Sequence, residues 1–131
     1  MREVSVLVIG GGPAGLTAAS DLASSGRDVL VLEREATAGG IPRHCDHSGF
    51  GLSDLRRLTT GPAYAHLLVN QARASGAQIQ TATMVTDWID DHTVLATSPQ
   101  GRERIRAEAI VLATGARERP RSARLIPGDR V

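Results

Sequence analysis

The chain has 131 residues, 41% of them apolar and 22% charged, which is one domain's worth of ordinary globular sequence and excludes intrinsic disorder. Fifteen basic and 14 acidic residues leave a net charge of +1, and every basic residue is Arg, so Schiff-base, P-loop and lysine general-base chemistry are absent. One Cys cannot form an internal disulfide or a Cys-based zinc site, and no apolar run approaches the ~20 residues that span a bilayer.

Residues 4–9 form a continuous apolar run after a polar start, the pattern of a buried parallel strand. The run ends at Gly10, Gly11 and Gly12. From residue 13 to 25 the pattern turns helical, with Leu16, Ala19, Leu22 and Ala23 at spacings of three and four, Pro13 in the first turn and Gly26 as the stop. Residues 28–33 read as a second strand, which completes a βαβ unit. Residues 34–61 are a long connection rich in Gly, His and Arg, of the length usually reserved for function, with a short helical turn expected at 54–58. A helix follows over residues 62–75, its stripe being Tyr64, Leu67, Leu68 and Ala72, and residues 77–85 read as a third strand. Short strands at 86–89, 93–98 and 102–107, separated by turn signals, predict an antiparallel meander. A separate buried strand is expected at 109–113. Residues 117–131 have no periodicity and read as an extended tail.

The first βα turn is Gly10-Gly11-Gly12-Pro13-Ala14-Gly15, a G-x-G-x-x-G placed between a strand and a helix, with Glu33 ending the next strand 18 residues after Gly15. Each glycine has a mechanical task there. Gly10 allows the tight turn, Gly12 lets backbone touch a pyrophosphate without a Cβ clash, and Gly15 lets the helix pack close to the sheet. The helix N-terminus offers free N–H groups and a positive dipole end to phosphate, and Pro13 and Ala14 belong to that cradle. Glu33 is placed to accept hydrogen bonds from both ribose hydroxyls, and its charge would repel a 2′-phosphate, which disfavours NADP at this site.

VLVIGGGPAGLTAA, VLVLERE and AIVLATGA resemble the FAD-binding domain of the glutathione reductase superfamily. The resemblance implies an α/β, Rossmann-like FAD/NAD(P)-binding domain: a parallel sheet with helices plus an antiparallel meander, in three ββα layers. It implies that the Ala113-Thr114-Gly115 turn passes the flavin dinucleotide closely. It also implies cofactor contacts from Arg34, Gly40, Ile41, Arg43 and Val85. The loop GGIPRHCDHSGFG followed by LTTGPAYAHLLV is similar to flavoprotein subunits of bacterial multi-component amino-acid, opine or glycerol-phosphate dehydrogenases. Disulfide reductases of the superfamily carry a Cys pair in this loop; Cys45 has no partner, so disulfide reduction is not expected.

The implied organisation is an incomplete FAD-binding domain over 1–116. An Arg-rich connector over 117–131 would lead to a missing second nucleotide domain. A partner subunit is the other way of completing the protein. Pro127-Gly128-Asp129 superficially resembles the family's third motif, although no buried strand precedes it. Residues 101–131 carry 8 Arg against 4 acids, but these alternate with Glu and Pro and no aromatic platform lies among them, so nucleic acid is not an expected partner. His44, Cys45 and His47 are the one constellation with catalytic potential, and a His beside the flavin would suit acid–base work. No fourth ligand accompanies them, and no metal is expected. His66 and His92 read as surface residues, and Tyr64 and Trp88 as core anchors. The expected function is hydride transfer between a small substrate or a pyridine nucleotide and FAD in a cytoplasmic oxidoreductase, with NAD(P) a further cofactor of a longer protein. The rivals are an NAD-binding dehydrogenase domain and a non-catalytic nucleotide-binding module that binds a partner subunit.

Overall fold

A computed structural model describes residues 1–116. The connector, its arginines 117, 119, 121 and 124, and the Pro-Gly-Asp triplet lie outside the described residues. Eight strands and two α-helices follow in order: β1 (Arg2–Ile9), α1 (Pro13–Ser24), β2 (Val29–Leu32), a 3-10 turn (Ile41–His44), β3 (Ser48–Phe50), β4 (Thr59–Thr60), α2 (Gly61–Ala74), β5 (Gln78–Gln80), β6 (Met84–Asp90), β7 (Thr93–Ser98) and β8 (Gly101–Leu112).

Six strands make one mixed sheet in the order β5-β2-β1-β8-β7-β6, and β3 pairs with β4 in a separate small antiparallel sheet. Strands β5, β2, β1 and β8 run parallel. Strands β8, β7 and β6 form the antiparallel meander. Every residue of β2 is buried, and its side chains divide between two cores. Val29 and Val31 join Leu16, Ala19 and Ala23 of α1 and Leu68, Val69 and Ala72 of α2. Leu30 and Leu32 join Leu7, Val94, Ala96, Ile105 and Ala107. Strand alternation thus sends one set to the helices and the other to the meander, which gives three layers.

The helix ends follow from local chemistry. Thr60 caps α2, its hydroxyl accepting the Ala63 N–H at 3.4 Å. Gly26 and Gly76 stop α1 and α2 at φ +86° and +100°, a region where glycine avoids the Cβ penalty.

Four expectations are corrected. The strands expected at 102–107 and 109–113 are one strand, β8, and residues 109–113 are half-buried or exposed where a buried strand was expected. The first half of β8 pairs with β7, and residues from Ile105 onward pair with β1 at a constant register. Glu108, between the two expected strands, is exposed and continues the strand. The strand expected at 77–85 is only β5, three residues long. Thr81 to Thr83 leave the sheet, Ala82 adopts φ +50°, and Val85 belongs to β6, opposite Ala96. Trp88 is 48% exposed on β6, an outer strand of the sheet, and is not a core anchor. The long connection also holds the β3 and β4 hairpin. The turn expected at 54–58 falls earlier, closed by the Leu55 N–H on the Gly51 carbonyl at 2.9 Å.

Replacing Leu30, 1% exposed, by Ala removes packing at the centre of the sheet and is expected to cost about 2–5 kcal/mol. Trp88→Ala on the outer strand should shift stability by less than about 1 kcal/mol. Urea titration of both variants measures the contrast.

Candidate functional site

The C-terminal ends of β1, β2 and β8 meet at the glycine turn. The Ala113 N–H donates to the Ile9 carbonyl and the Gly10 N–H to the Leu32 carbonyl, each at 2.9 Å, so the sheet pairing extends to the turn itself. Gly10 has φ +113°, and a Cβ there would collide with the Ala113 carbonyl oxygen. A Cβ on Gly15 would collide with the Gly10 carbonyl oxygen, so α1 rests directly on the turn. Gly12 differs: a Cβ would approach nothing closer than the Gly40 Cα at 3.8 Å. Its freedom is unused by the protein's own packing, which leaves room for a ligand against bare backbone. No side chain caps α1, and its first turn has no acidic residue. The N–H groups of Ala14 and Gly15 lie in the first turn, where no intrahelical acceptor exists. A concave glycine turn at an uncapped helix N-terminus fits the pyrophosphate of a dinucleotide.

Glu33 follows β2 and is 8% exposed. Its Oε2 accepts the Gly11 N–H at 2.9 Å and its Oε1 the Glu35 N–H at 2.8 Å. Each oxygen keeps a second lone-pair direction for a ligand hydroxyl. Gly11, which sequence reasoning passed over, is therefore the donor that ties the acidic residue to the glycine turn. The three consecutive glycines were the signal for it.

Residues 38–45 form a wall beside the turn. The Gly39 N–H donates to the Gly11 carbonyl at 2.7 Å, and a Cβ on Gly40 would stand 2.8 Å from the Gly12 Cα. Arg43 forms an ion pair with Glu35. Ile41 is 68% exposed beside it. Gly61, at the start of α2, has no space for a Cβ against the Pro42 and Cys45 carbonyl oxygens, so α2 is pressed onto this wall. Gly39, Gly61 and Glu35 were missed in the sequence because only the folded contacts give them a task. Arg34 is exposed after Glu33, as are Thr114 and Gly115 after the half-buried Ala113. Val85 lies two residues beyond Thr83, whose N–H donates to the Glu33 carbonyl at 2.9 Å.

His44, Cys45 and His47 do not converge. His44 Nε2 lies 3.9 Å from the Glu35 carboxylate, the Cys45 thiol points to the Ile41 carbonyl at 3.6 Å, and His47 stacks on Phe50 with ring centroids 5.3 Å apart. Phe50 in turn lies 5.9 Å from the Tyr64 ring, and the Tyr64 hydroxyl donates to Asp54 at 2.5 Å. Burial, then the Asp54 hydrogen bond and charge, push the Tyr64 hydroxyl up to about 12; the same hydrogen bond holds Asp54 below the usual carboxylate range. Among the described residues, no three His, Cys, Asp or Glu side chains come together to hold a metal, and no helix is long and apolar enough to cross a membrane. A cavity of about 490 Å³ lies at the opposite end of the sheet, lined by residues including Glu3, Asp28, Arg106 and Glu108. These charged side chains are exposed, and the cavity has no part in the glycine turn.

This arrangement of turn, acidic residue and β8 terminus defines a dinucleotide-binding oxidoreductase domain. The chain belongs to the pyridine nucleotide-disulphide oxidoreductase family, whose model matches residues 4–130. The family is one of flavin-dependent oxidoreductases, and FAD is its cofactor. The chain is 36% identical over 136 positions to the alpha chain of the sarcosine oxidase of Corynebacterium sp. (strain P-1), covering 90% of this chain and 13% of that protein. It is 36% identical over 117 positions to an opine oxidase subunit of Rhizobium meliloti, covering 87% of this chain and 25% of that protein. The chain thus spans a quarter or less of these two relatives. Among solved structures it is similar to a thioredoxin reductase from Gloeobacter violaceus, with a TM-score of 0.71 and 25% identity over 92% of this chain and 39% of that one. It also resembles THI4 of Thermovibrio ammonificans, with a TM-score of 0.70 and 21% identity over 86% of this chain and 58% of that one, a likeness of fold.

Two outcomes test the geometry. Gly10→Ala places a methyl group against backbone at a positive φ and should cost at least about 2 kcal/mol, read as a lowered Tm. Tyr64 is the only tyrosine, so absorbance at 295 nm reports its ionisation alone. The midpoint should lie near 12, and Asp54→Asn should lower it by removing the carboxylate and leaving the effect of burial. Because the folded value is raised, the contribution to stability is complete below the unfolded value near 10 and disappears as pH rises towards 12.

Proposed function

We propose that residues 1–116 are the FAD-binding portion of an oxidoreductase that moves a hydride between a small substrate or pyridine nucleotide and flavin. The observation that carries the reading is Glu33, buried, held by two backbone N–H groups, and set beside an uncapped helix N-terminus at the ends of three parallel strands. Bound FAD would supply the two-electron chemistry. The chain's part is binding and orientation. Glu33 accepts from the adenosine ribose hydroxyls, Gly10, Gly12, Pro13, Ala14 and Gly15 form the pyrophosphate cradle, and Gly40, Ile41 and Arg43 form its wall. Arg34 and Val85 flank the adenosine end, and Ala113, Thr114 and Gly115 flank the turn from β8. His44 is the only one of the three His and Cys candidates whose side chain comes as close as 3.9 Å to the Glu35 carboxylate, the partner of Arg43. The single Cys supports flavin chemistry without a cysteine pair within this chain.

The relatives' names, which mark them as parts of multi-chain oxidases, support a partner subunit or a further domain for this chain, reached through residues 117–131, and the reading is of a cytoplasmic protein. The electron acceptor would be carried by that partner or domain. Purified protein should be yellow and release its chromophore on denaturation; a colourless protein that binds NAD and not FAD would overturn the reading.

Glu33→Gln replaces a charge-assisted acceptor and turns an NH2 group towards one of two backbone donors. Each such bond is worth about 1.5–3 kcal/mol, so FAD affinity should fall at least about tenfold in a fluorescence titration, with circular dichroism checking the fold. Unchanged affinity would remove Glu33 from the ribose site.

A further inference from the structure

We propose that Glu35 is a positioning residue for the dinucleotide: it touches no ligand, but fixes Arg43 so that the guanidinium serves the anionic half of the cofactor. The inference deepens the proposed function and rests on it. Glu35 is anchored through its backbone on both sides. Its N–H donates to Glu33 Oε1 at 2.8 Å, and its carbonyl accepts the Ala82 N–H at 2.7 Å. Its carboxylate therefore projects from a fixed point next to the ribose acceptor. Arg43 comes from the opposite side, from the wall that closes on Gly11 and Gly12. Its stem lies over Gly39, where a Cβ would meet Arg43 Cγ at 2.9 Å and Cδ at 3.0 Å. Arg43 Nη2 pairs with Glu35 Oε2, and His44 Nε2 stands 3.4 Å from the same Nη2.

The pair leaves one buried donor unsatisfied. Arg43 Nε is buried with no hydrogen-bond partner, and it is the only such side-chain atom among the described residues. An unmade buried donor is costly and persists only where packing holds it. Here the Gly39 surface and the Glu35 carboxylate hold it, on the loop whose Gly39 N–H donates to the Gly11 carbonyl of the glycine turn. An acceptor oxygen of a bound pyrophosphate, reached by a small shift of the side chain, completes the guanidinium. A planar, permanently charged fork suits that acceptor better than an ammonium. Glu35 thus governs affinity through Arg43, whereas Glu33 governs it by direct contact.

The test uses the full chain and three ligands: FAD, ADP and adenosine. Affinities are measured for Glu35→Gln, Arg43→Gln and the double variant, with thermal melts as the folding control. Glu35→Gln should weaken FAD and ADP roughly fivefold, the scale of a partly exposed ion pair, and leave adenosine unchanged. Arg43→Gln should weaken FAD and ADP at least as much. The double variant should bind like Arg43→Gln alone, because Glu35 acts through that side chain. Equal losses for adenosine and ADP would show a merely structural role, and additive losses in the double variant would separate Glu35 from Arg43; either overturns the proposal. If wild-type protein binds FAD and Glu33→Gln weakens it while Glu35→Gln does not, the positioning role alone fails. If wild-type protein binds neither FAD nor ADP, the FAD reading fails with it.

Discussion

The carbonyl oxygen of Ala113 occupies the space where any side chain on residue 10 would begin. This contact joins the end of β8 to the turn after β1, and the rest of the site is built around it. It demands glycine and a positive φ at position 10. It sets the path of the chain into α1, whose Gly15 then rests on the carbonyl of Gly10. The helix N-terminus is thereby brought to the C-terminal ends of the parallel strands with its first N–H groups free, where its dipole favours an anion. Stability and ligand geometry rest on the same backbone contacts, so the turn resists change for two separate physical reasons.

A second arrangement ties an acidic side chain to the turn. Glu33 is nearly buried, and burial of a carboxylate is costly unless hydrogen bonds satisfy it. Gly11 and Glu35 supply two backbone donors, and Gly11 can come this close because a Cβ there would stand only 3.0 Å from the Glu33 side chain. On the proposed reading the glycine turn would serve the phosphate end and the ribose end together: Gly12 faces open space and Gly11 faces the carboxylate. On the same reading, the carboxylate there would suit ribose hydroxyls and repel a 2′-phosphate.

The segment between β2 and α2 shows how a polar loop acquires structure without a strong local pattern. Glycines at 39, 40 and 61 allow three backbone segments to touch, and the ion pair of Arg43 with Glu35 spans the result. The hairpin beyond it is joined to α2 through the contacts of Phe50 with Tyr64 and of Tyr64 with Asp54. The meander solves a different problem. It buries Leu30 and Leu32 on the face of β2 that the helices leave open, and it does so through β8, one strand that is antiparallel to β7 and parallel to β1.

The sequence by itself determined the βαβ unit, the glycine turn, the position of Glu33 and the antiparallel meander. These rest on short-range signals: strand and helix periods, turn residues, and glycines at fixed spacing. Tertiary structure alone decided that β8 is continuous through Glu108, because its pairing with β1 joins segments about a hundred residues apart. It decided that residues 81–83 leave the sheet to reach Glu33 and Glu35, and that Trp88 lies exposed on an outer strand, because strand order is not written in local pattern. It separated His44, Cys45 and His47, which adjacency in sequence had grouped, because a 3-10 turn followed by a strand sends neighbouring side chains in different directions. It also gave Gly11, Gly39, Gly61 and Glu35 their roles, for those depend on backbone from distant segments arriving within van der Waals contact, a condition that only the packed chain creates.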